Sequence, residues 1–208
     1  MTVMGTRGMY SKSLARREEI LTTALKVIAD RGFNSATLRD LADAANLSIT
    51  GLVHHFGTKE ALLTEVLRRR DEDTSTRYIE GARSAREMME RLEGLISYNA
   101  SVPGLMKLYT NLSADATSPD HPGHEYFLER YEASRRLGQE AIEDLQESGA
   151  LPKHFDAESL GVLITAALDG LQLQLLYNPD LDMSRYLNTL GDLLDSTVAA
   201  ADRDAPAS

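Results

Sequence analysis

Between Thr37 and Leu63 the chain reads TLRDLADAANLSITGLVHHFGTKEALL, and no other stretch restricts the fold so tightly. Thr37 followed by Asp40 has the spacing of a capping box, in which the hydroxyl accepts from the coming turn and the carboxylate reaches back to the cap. A helix is predicted to begin there. Leu38, Leu41, Ala42 and Ala45 recur at the spacing that puts them on one buried face, leaving Arg39, Asp40 and Asp43 on the wet side. Asn46 stands where the chain must reverse, and Asn tolerates the left-handed conformation better than other residues with a side chain. Leu47 pins the turn to the core and Ser48 caps a second helix, with Ile49, Leu52 and Phe56 as its partial apolar stripe and Thr50, Val53 and His54 on its other face. Gly57 and Thr58 break and re-cap the chain before Lys59 to Leu63 start a longer helix. Two short helices joined by a tight turn and followed by a third form a helix-turn-helix layout.

Upstream, Ile20, Leu21, Ala24, Leu25 and Ile28 mark an amphipathic helix from about Leu14 to Arg31, stopped by Gly32 and supplying another wall of the same small core. From Arg17 to Arg70 the sequence resembles the N-terminal domain of TetR-family transcriptional regulators. The resemblance is carried by Thr37, Arg39, Leu41, Ala42, Ala45, Leu47-Ser48, Leu52, His55-Phe56, Lys59 and Ala61-Leu62-Leu63. Two positions depart from it. Asn46 stands where the family usually has Gly in the turn, a mild change on conformational grounds. Val53 stands where the family usually has a DNA-touching Tyr in the recognition helix, which leaves a methyl contact to thymine as the natural replacement.

A net charge of −10 would oppose nucleic-acid binding if it were spread evenly. It is not: residues 1–70 hold 11 Lys and Arg against 7 Asp and Glu, a net of +4, whereas residues 71–208 hold 11 against 25, a net of −14. The basic charge sits with the helix-turn-helix. Arg7, Lys12, Arg16 and Arg17 lie before or at the start of the first helix, where a loose arm reaches phosphates and gains from counterion release; the plainer reading of MTVMGTRGMY, which has no periodicity, is a solvated tail. Cys is absent, which removes a disulfide framework and a thiolate metal site, and no secretory segment or apolar run of about 18 residues is read from the sequence. A cytoplasmic protein without membrane contact is the default expectation.

After residue 70 the pattern is helical throughout, without strand alternation or internal repeats. The expected fold is all-α: a flexible arm (1–13), a helix-turn-helix DNA-binding domain (14–60), a helical ligand-binding and dimerisation domain (61–200) and a flexible tail (201–208). The helix begun at Thr58 is expected to run toward Tyr78 and break near Gly81, followed by a face of Met88, Met89, Leu92, Leu95, Ile96 and Asn99. Pro103 suits a helix start. Ser118 to Gly123 form a loop, a long helix runs from His124 to Ser148, and Gly149 closes it. Leu160, Leu163, Ile164, Ala167, Leu168, Leu171 and Leu175 then make a broad stripe interleaved with Gly161, Ala166 and Gly170, and a last helix carries Tyr186, Leu187, Leu190, Leu193, Leu194 and Val198. In the family this C-terminal pair meets its twin across a two-fold axis. Leu160, Ile164, Leu168, Leu171, Leu187, Leu190 and Leu194 are therefore assigned to a homodimer interface, which holds two recognition helices about 34 Å apart on a palindromic operator; the alternative for the stripe is ordinary core within one chain.

Ile49, Thr50, Val53 and His54 are the candidates for base edges, with a core role as the alternative for Ile49. Thr37, Arg39, Ser48, His55 and Lys59 are placed on phosphates, partly because the matching family positions often do so. Adjacent helical residues such as His54 and His55 point apart and do not make a metal site. In DHPGHE, His121 and His124 are read as part of a Pro-Gly turn rather than as metal ligands. No nucleophile elbow, phosphate-cradling Gly loop or HExxH is present, so no catalytic residue and no cofactor is assigned. By resemblance, the second domain holds a small-molecule cavity, for which Tyr98, Asn99, Met106, Tyr109, Phe127, Tyr131 and Asp169 are candidates, each with a core role as its alternative. The functional expectation is a DNA-binding regulator, a repressor released by an effector; the competing classes are a helical adaptor and a helical enzyme using a carboxylate such as Asp169.

Overall fold

The computed structural model describes residues 4–32, 35–78 and 85–192. Every regular element among them is helical: α1 (Met4–Arg31), α2 (Leu38–Ala44), α3 (Ile49–Phe56), α4 (Lys59–Tyr78), α5 (Ala85–Ser101), α6 (Pro103–Asp115), α7 (His124–Glu147) and α8 (Ala157–Tyr177), with residues 183–192 helical after them. The expected break at Gly81, and Leu193, Leu194 and Val198, lie outside the described residues, as do residues 201–208 and the side chains of Arg7, Lys12, Met88 and Met89. One start differs from expectation. α1 begins at Met4 rather than near Leu14, since a helix continues backward through residues that carry neither a cap nor an apolar stripe to announce it.

The chain divides into two compact units, Met1–Ser75 with Val102–Tyr126, and Thr76–Ser101 with Phe127–Ser208. In the first, Ile20, Ala24 and Ile28 of α1, Leu41 and Ala42 of α2, Leu52 of α3 and Leu62, Val66 and Leu67 of α4 are buried, as the periodicity requires. α6 brings Leu105, Leu108 and Leu112 to this unit, all buried. Its approach to α1 depends on Gly104, where a Cβ would lie 2.4 Å from the Ile28 carbonyl oxygen and 2.9 Å from the Gly32 Cα. Pro103 occupies the first turn of α6, where its missing N–H costs nothing.

In the second unit α7 and α8 cross at Gly138 and Gly161: a Cβ on Gly161 would stand 2.7 Å from the Arg135 carbonyl oxygen and 2.9 Å from the Gln139 backbone nitrogen. The Gln146 side-chain amide holds the connection between these helices by donating to the carbonyls of Phe155 (2.8 Å) and Pro152 (3.2 Å). Asp156 caps α8 by accepting from the Ser159 N–H at 3.0 Å, and the hydrogen bonds from Ser159 keep its carboxyl below the ordinary value. α8 corrects one expectation. Its length and mean hydropathy suffice by themselves for a membrane span, although no such run was expected, because the glycines, alanines and glutamines between its leucines disguise it.

Candidate nucleic-acid interface

The local chemistry of α2 and α3 accounts for how their outer residues are held. Thr37 is the cap of α2 in extended conformation: its Oγ1 accepts from the Asp40 N–H at 3.2 Å and its own N–H donates to Asp40 Oδ2 at 2.9 Å, with the two side chains also bonded to each other. The Thr37 hydrogen bonds, with Arg31 3.6 Å away, hold the Asp40 carboxyl below its ordinary value. α2 ends in a reversal in which Asn46 takes φ of 53°, the only described residue other than glycine with positive φ, and Leu47 N–H closes on the Ala42 carbonyl at 2.8 Å. Asn46 thus adopts the conformation for which it stands in place of Gly. Ser48 Oγ accepts from the Gly51 N–H at 3.0 Å and starts α3. Gly57 (φ 81°) stops it, and Thr58 caps α4 by accepting from the Ala61 N–H at 3.1 Å.

Two buried residues, Leu52 and Phe56, fix the orientation of α3. Thr50, Val53 and His54 then fall away from that side, while Ile49 shares it at the start of the helix, and all four are exposed. The core alternative for Ile49 does not hold, since 39% of its surface meets solvent. Val53 is 38% exposed, an apolar side chain at the surface with no packing reason to be there. Thr37, Arg39 and Ser48 are exposed, while His55 and Lys59 are half-buried. The nine assigned residues therefore lie on α2, α3, their caps and the first turn of α4.

Arg16 and Arg17 behave differently from the arm expected of them. Arg16 Nη2 donates to the carbonyl of Ala45 at 2.7 Å and its Nη1 pairs with Glu19 at 2.6 Å. Arg17 Nη1 donates to the carbonyl of His55 at 2.6 Å, its Nη2 pairs with Glu65 at 3.1 Å, and its guanidinium lies 4.3 Å from the Phe56 ring centroid. These groups bind protein rather than standing free, because residues 14–17 already belong to a helix that packs against α2 and reaches α3 through Arg17. His121 and His124 serve the turn before α7: His121 Nδ1 accepts from the Gly123 N–H at 3.0 Å, and His124 Nδ1 lies 2.8 Å from the Ala116 carbonyl.

Among the ligand candidates, Tyr131 Oη donates to Asp169 Oδ2 at 2.7 Å, and the Phe127 and Tyr131 rings are 6.4 Å apart. Asn99 is buried and Tyr98 half-buried on α5. Met106 and Tyr109 are buried on α6, which the first unit contains. Among the interface candidates, Leu160, Ile164, Leu168, Leu171 and Leu190 are half-buried and Leu187 is buried, while Leu194 lies outside the described residues. On the outward face of α8, Leu163, Ala166, Leu173 and Tyr177 are exposed, Tyr177 to 85%; Leu163 and Ala166 belong to the broad stripe read from the sequence, though not to the assigned interface, while Leu173 and Tyr177 were passed over. The helical spacing of these residues was the available signal, masked by the stronger leucine row beside it.

Residues 20–66 match the family model for bacterial regulatory proteins, tetR family. The HTH-type transcriptional repressor KstR2 of Rhodococcus jostii (strain RHA1) is 39% identical over 87 residues, 41% of this chain and 43% of that protein, so the chain matches less than half of that relative's length. A solved structure from Rhodococcus sp., described as a TetR-family transcriptional regulator, shares 25% identity and a TM-score of 0.66 over 86% of this chain and 97% of its own. A transcriptional regulator from Saccharomonospora viridis in complex with choline is 25% identical, with a TM-score of 0.63 over 83% and 93% of the two chains. With the family model lying within α1 to α4 and the solved neighbours sharing the helical fold that follows, the chain carries an N-terminal domain of the tetR type and is similar beyond it to TetR-family regulators.

Proposed function

We propose that the protein is a cytoplasmic homodimeric repressor that binds a palindromic operator and is released from it by a small-molecule effector. The observation that carries this reading is α3: a short, doubly capped helix whose buried Leu52 and Phe56 leave Ile49, Thr50, Val53 and His54 in solvent. A helix so held offers methyl groups to thymine and hydrogen-bonding groups to base edges in the major groove. Thr37, Arg39, Ser48, His55 and Lys59 supply the phosphate contacts; Lys59 sits in the first turn of α4, where the helix dipole also favours an anion. The repressor KstR2 of R. jostii supports the direction of control, and the choline in complex with the S. viridis regulator supports a small-molecule effector. Tyr131 and Asp169 supply a polar pair for an effector site, with Tyr98, Asn99 and Phe127 of the same unit as the other candidates; Met106 and Tyr109 belong to the first unit and are left out of it. The effector relieves repression only as far as it binds the DNA-incompatible conformation more tightly.

Selection of duplexes from a random pool by the purified protein, followed by binding of the winner across a salt series, tests the reading. A palindromic winner with a steep salt dependence is expected. Binding with no sequence preference, or none at all, would favour the adaptor or enzyme class. Lys59→Ala is expected to weaken binding to every duplex and to reduce the salt slope by about 0.9, the value of one phosphate contact. Thr50→Ala is expected to relax preference at one base pair by about 1–3 kcal/mol. Equal losses on operator and random DNA would reject base reading by Thr50.

A further inference from the structure

Two consecutive side chains of α1 terminate on the C-terminal carbonyls of two different helices. Arg16 meets Ala45, the C-cap of α2, and Arg17 meets His55, next to the last residue of α3. The final carbonyls of a helix have no partner within it and carry the negative end of its dipole, so a guanidinium fixed there satisfies an acceptor and opposes the charge. Each arginine is itself held: Arg16 by Glu19 on α1, Arg17 by Glu65 on α4 and by the Phe56 ring. α3 has eight residues, only two of them buried. With so few apolar contacts, the angle at which α3 leaves the protein depends on what grips its ends, and Ser48 grips only the first.

We infer that Arg16 and Arg17 are positioning residues for the reading head, fixing α2 and α3 on α1 so that Thr50, Val53 and His54 meet base edges in register, without themselves touching DNA; this rests on the DNA-binding reading above. Arg17 is the stronger of the two. Its planar fork serves a carbonyl, a carboxylate and a ring face together, a combination that a lysine ammonium does not reproduce. Both terminal nitrogens are engaged, and the Glu65 carboxylate offsets the charge that a phosphate would otherwise attract.

The test uses the full chain carrying Arg17→Lys or, separately, Glu65→Gln, with binding to the selected operator and to a random duplex measured over a salt series and thermal melts run in parallel. Arg17→Lys is expected to weaken operator binding by about 10- to 100-fold, the worth of a hydrogen bond to a charged group, while binding to the random duplex changes far less and the salt slope stays that of the wild type. Glu65→Gln keeps the arginine charge and loosens its anchor, so a smaller loss confined to the operator is expected. If Arg17 instead contacted phosphate, Arg17→Lys would alter both duplexes together and Glu65→Gln would strengthen binding to both; either result overturns the inference. A lowered melting temperature with wild-type operator affinity well below it assigns Arg17 to stability alone and also overturns it. A wild-type protein without preference for any duplex rejects the DNA-binding reading itself, which is read before any variant is compared.

Discussion

Leu163→Asp combined with Leu173→Asp is expected to convert a dimer into a monomer and to lower operator affinity by about 10²–10⁴-fold, the advantage lost when two linked heads no longer bind together. Leu163 is 62% exposed and Leu173 43% exposed, on the same face of α8 as Ala166, Gly170 and Tyr177. In a two-fold interface each residue counts twice, so two leucines contribute four buried side chains, each worth about 1.5–3 kcal/mol on leaving water. Carboxylates at the same positions face one another across the axis and lose hydration with no cation to compensate. Because both leucines are exposed within one chain, the substitutions leave the fold of the protomer intact. The sequence assignment names Leu168 instead, but Leu168 is half-buried, and a charge there confounds dissociation with damage to the protomer. Sedimentation equilibrium decides the matter: a variant that stays dimeric moves the interface off this face. A monomer that keeps full operator affinity would show that two heads are not needed. The same prediction bears on the membrane-like composition of α8: loss of the dimer in the variant would account for this apolar face by a second copy of the chain rather than by lipid, with Gly170 and Ala166 permitting its close approach.

The most legible features were those fixed by local chemistry. Thr37, Ser48 and Thr58 cap the helices that their spacing announces, and Asn46 and Gly57 take the positive φ that a reversal and a helix end demand. The face of α3 followed from the same periodicity, because two large apolar residues on a short helix leave one orientation. What the sequence did not disclose depends on geometry between elements. Arg16 and Arg17 read as phosphate-seeking cations when charge alone is visible; only the packing of α1 against α2, and of α2 against α3, brings their guanidinium groups to carbonyls 29 and 38 residues away. The start of α1 at Met4 has no cap to mark it. On α8, apolar residues surround much of the helix, so periodicity cannot by itself distinguish the row facing the protomer from the row facing outward.

Glycine substitutions on α8 separate those two rows with a single chemical change. Gly161→Ala is expected to destabilise the protein by about 1–3 kcal/mol, a loss of roughly 3–9 °C in melting temperature for a chain of this size. Its new methyl would press on the Arg135 carbonyl at 2.7 Å and the Gln139 nitrogen at 2.9 Å, both backbone atoms that retreat only if α7 moves. Gly170→Ala places the same methyl in the same helix where nothing lies within 4 Å, so the gain in helix propensity, about 0.5–1 kcal/mol, is left unopposed and the protomer becomes more stable. Opposite signs from one substitution on one helix are the expected result of calorimetric melts; shifts in the same direction would contradict the α7–α8 crossing at Gly161. The second member of the pair also reports on association. If a twin helix lies close over Gly170, the alanine stabilises each protomer while loosening the dimer, and the gain in melting temperature shrinks as the protein is concentrated, because mass action then weights the interface more heavily. A gain that is independent of concentration would place the twin's closest approach away from Gly170, toward the Leu173–Tyr177 end of the face or the residues that follow it.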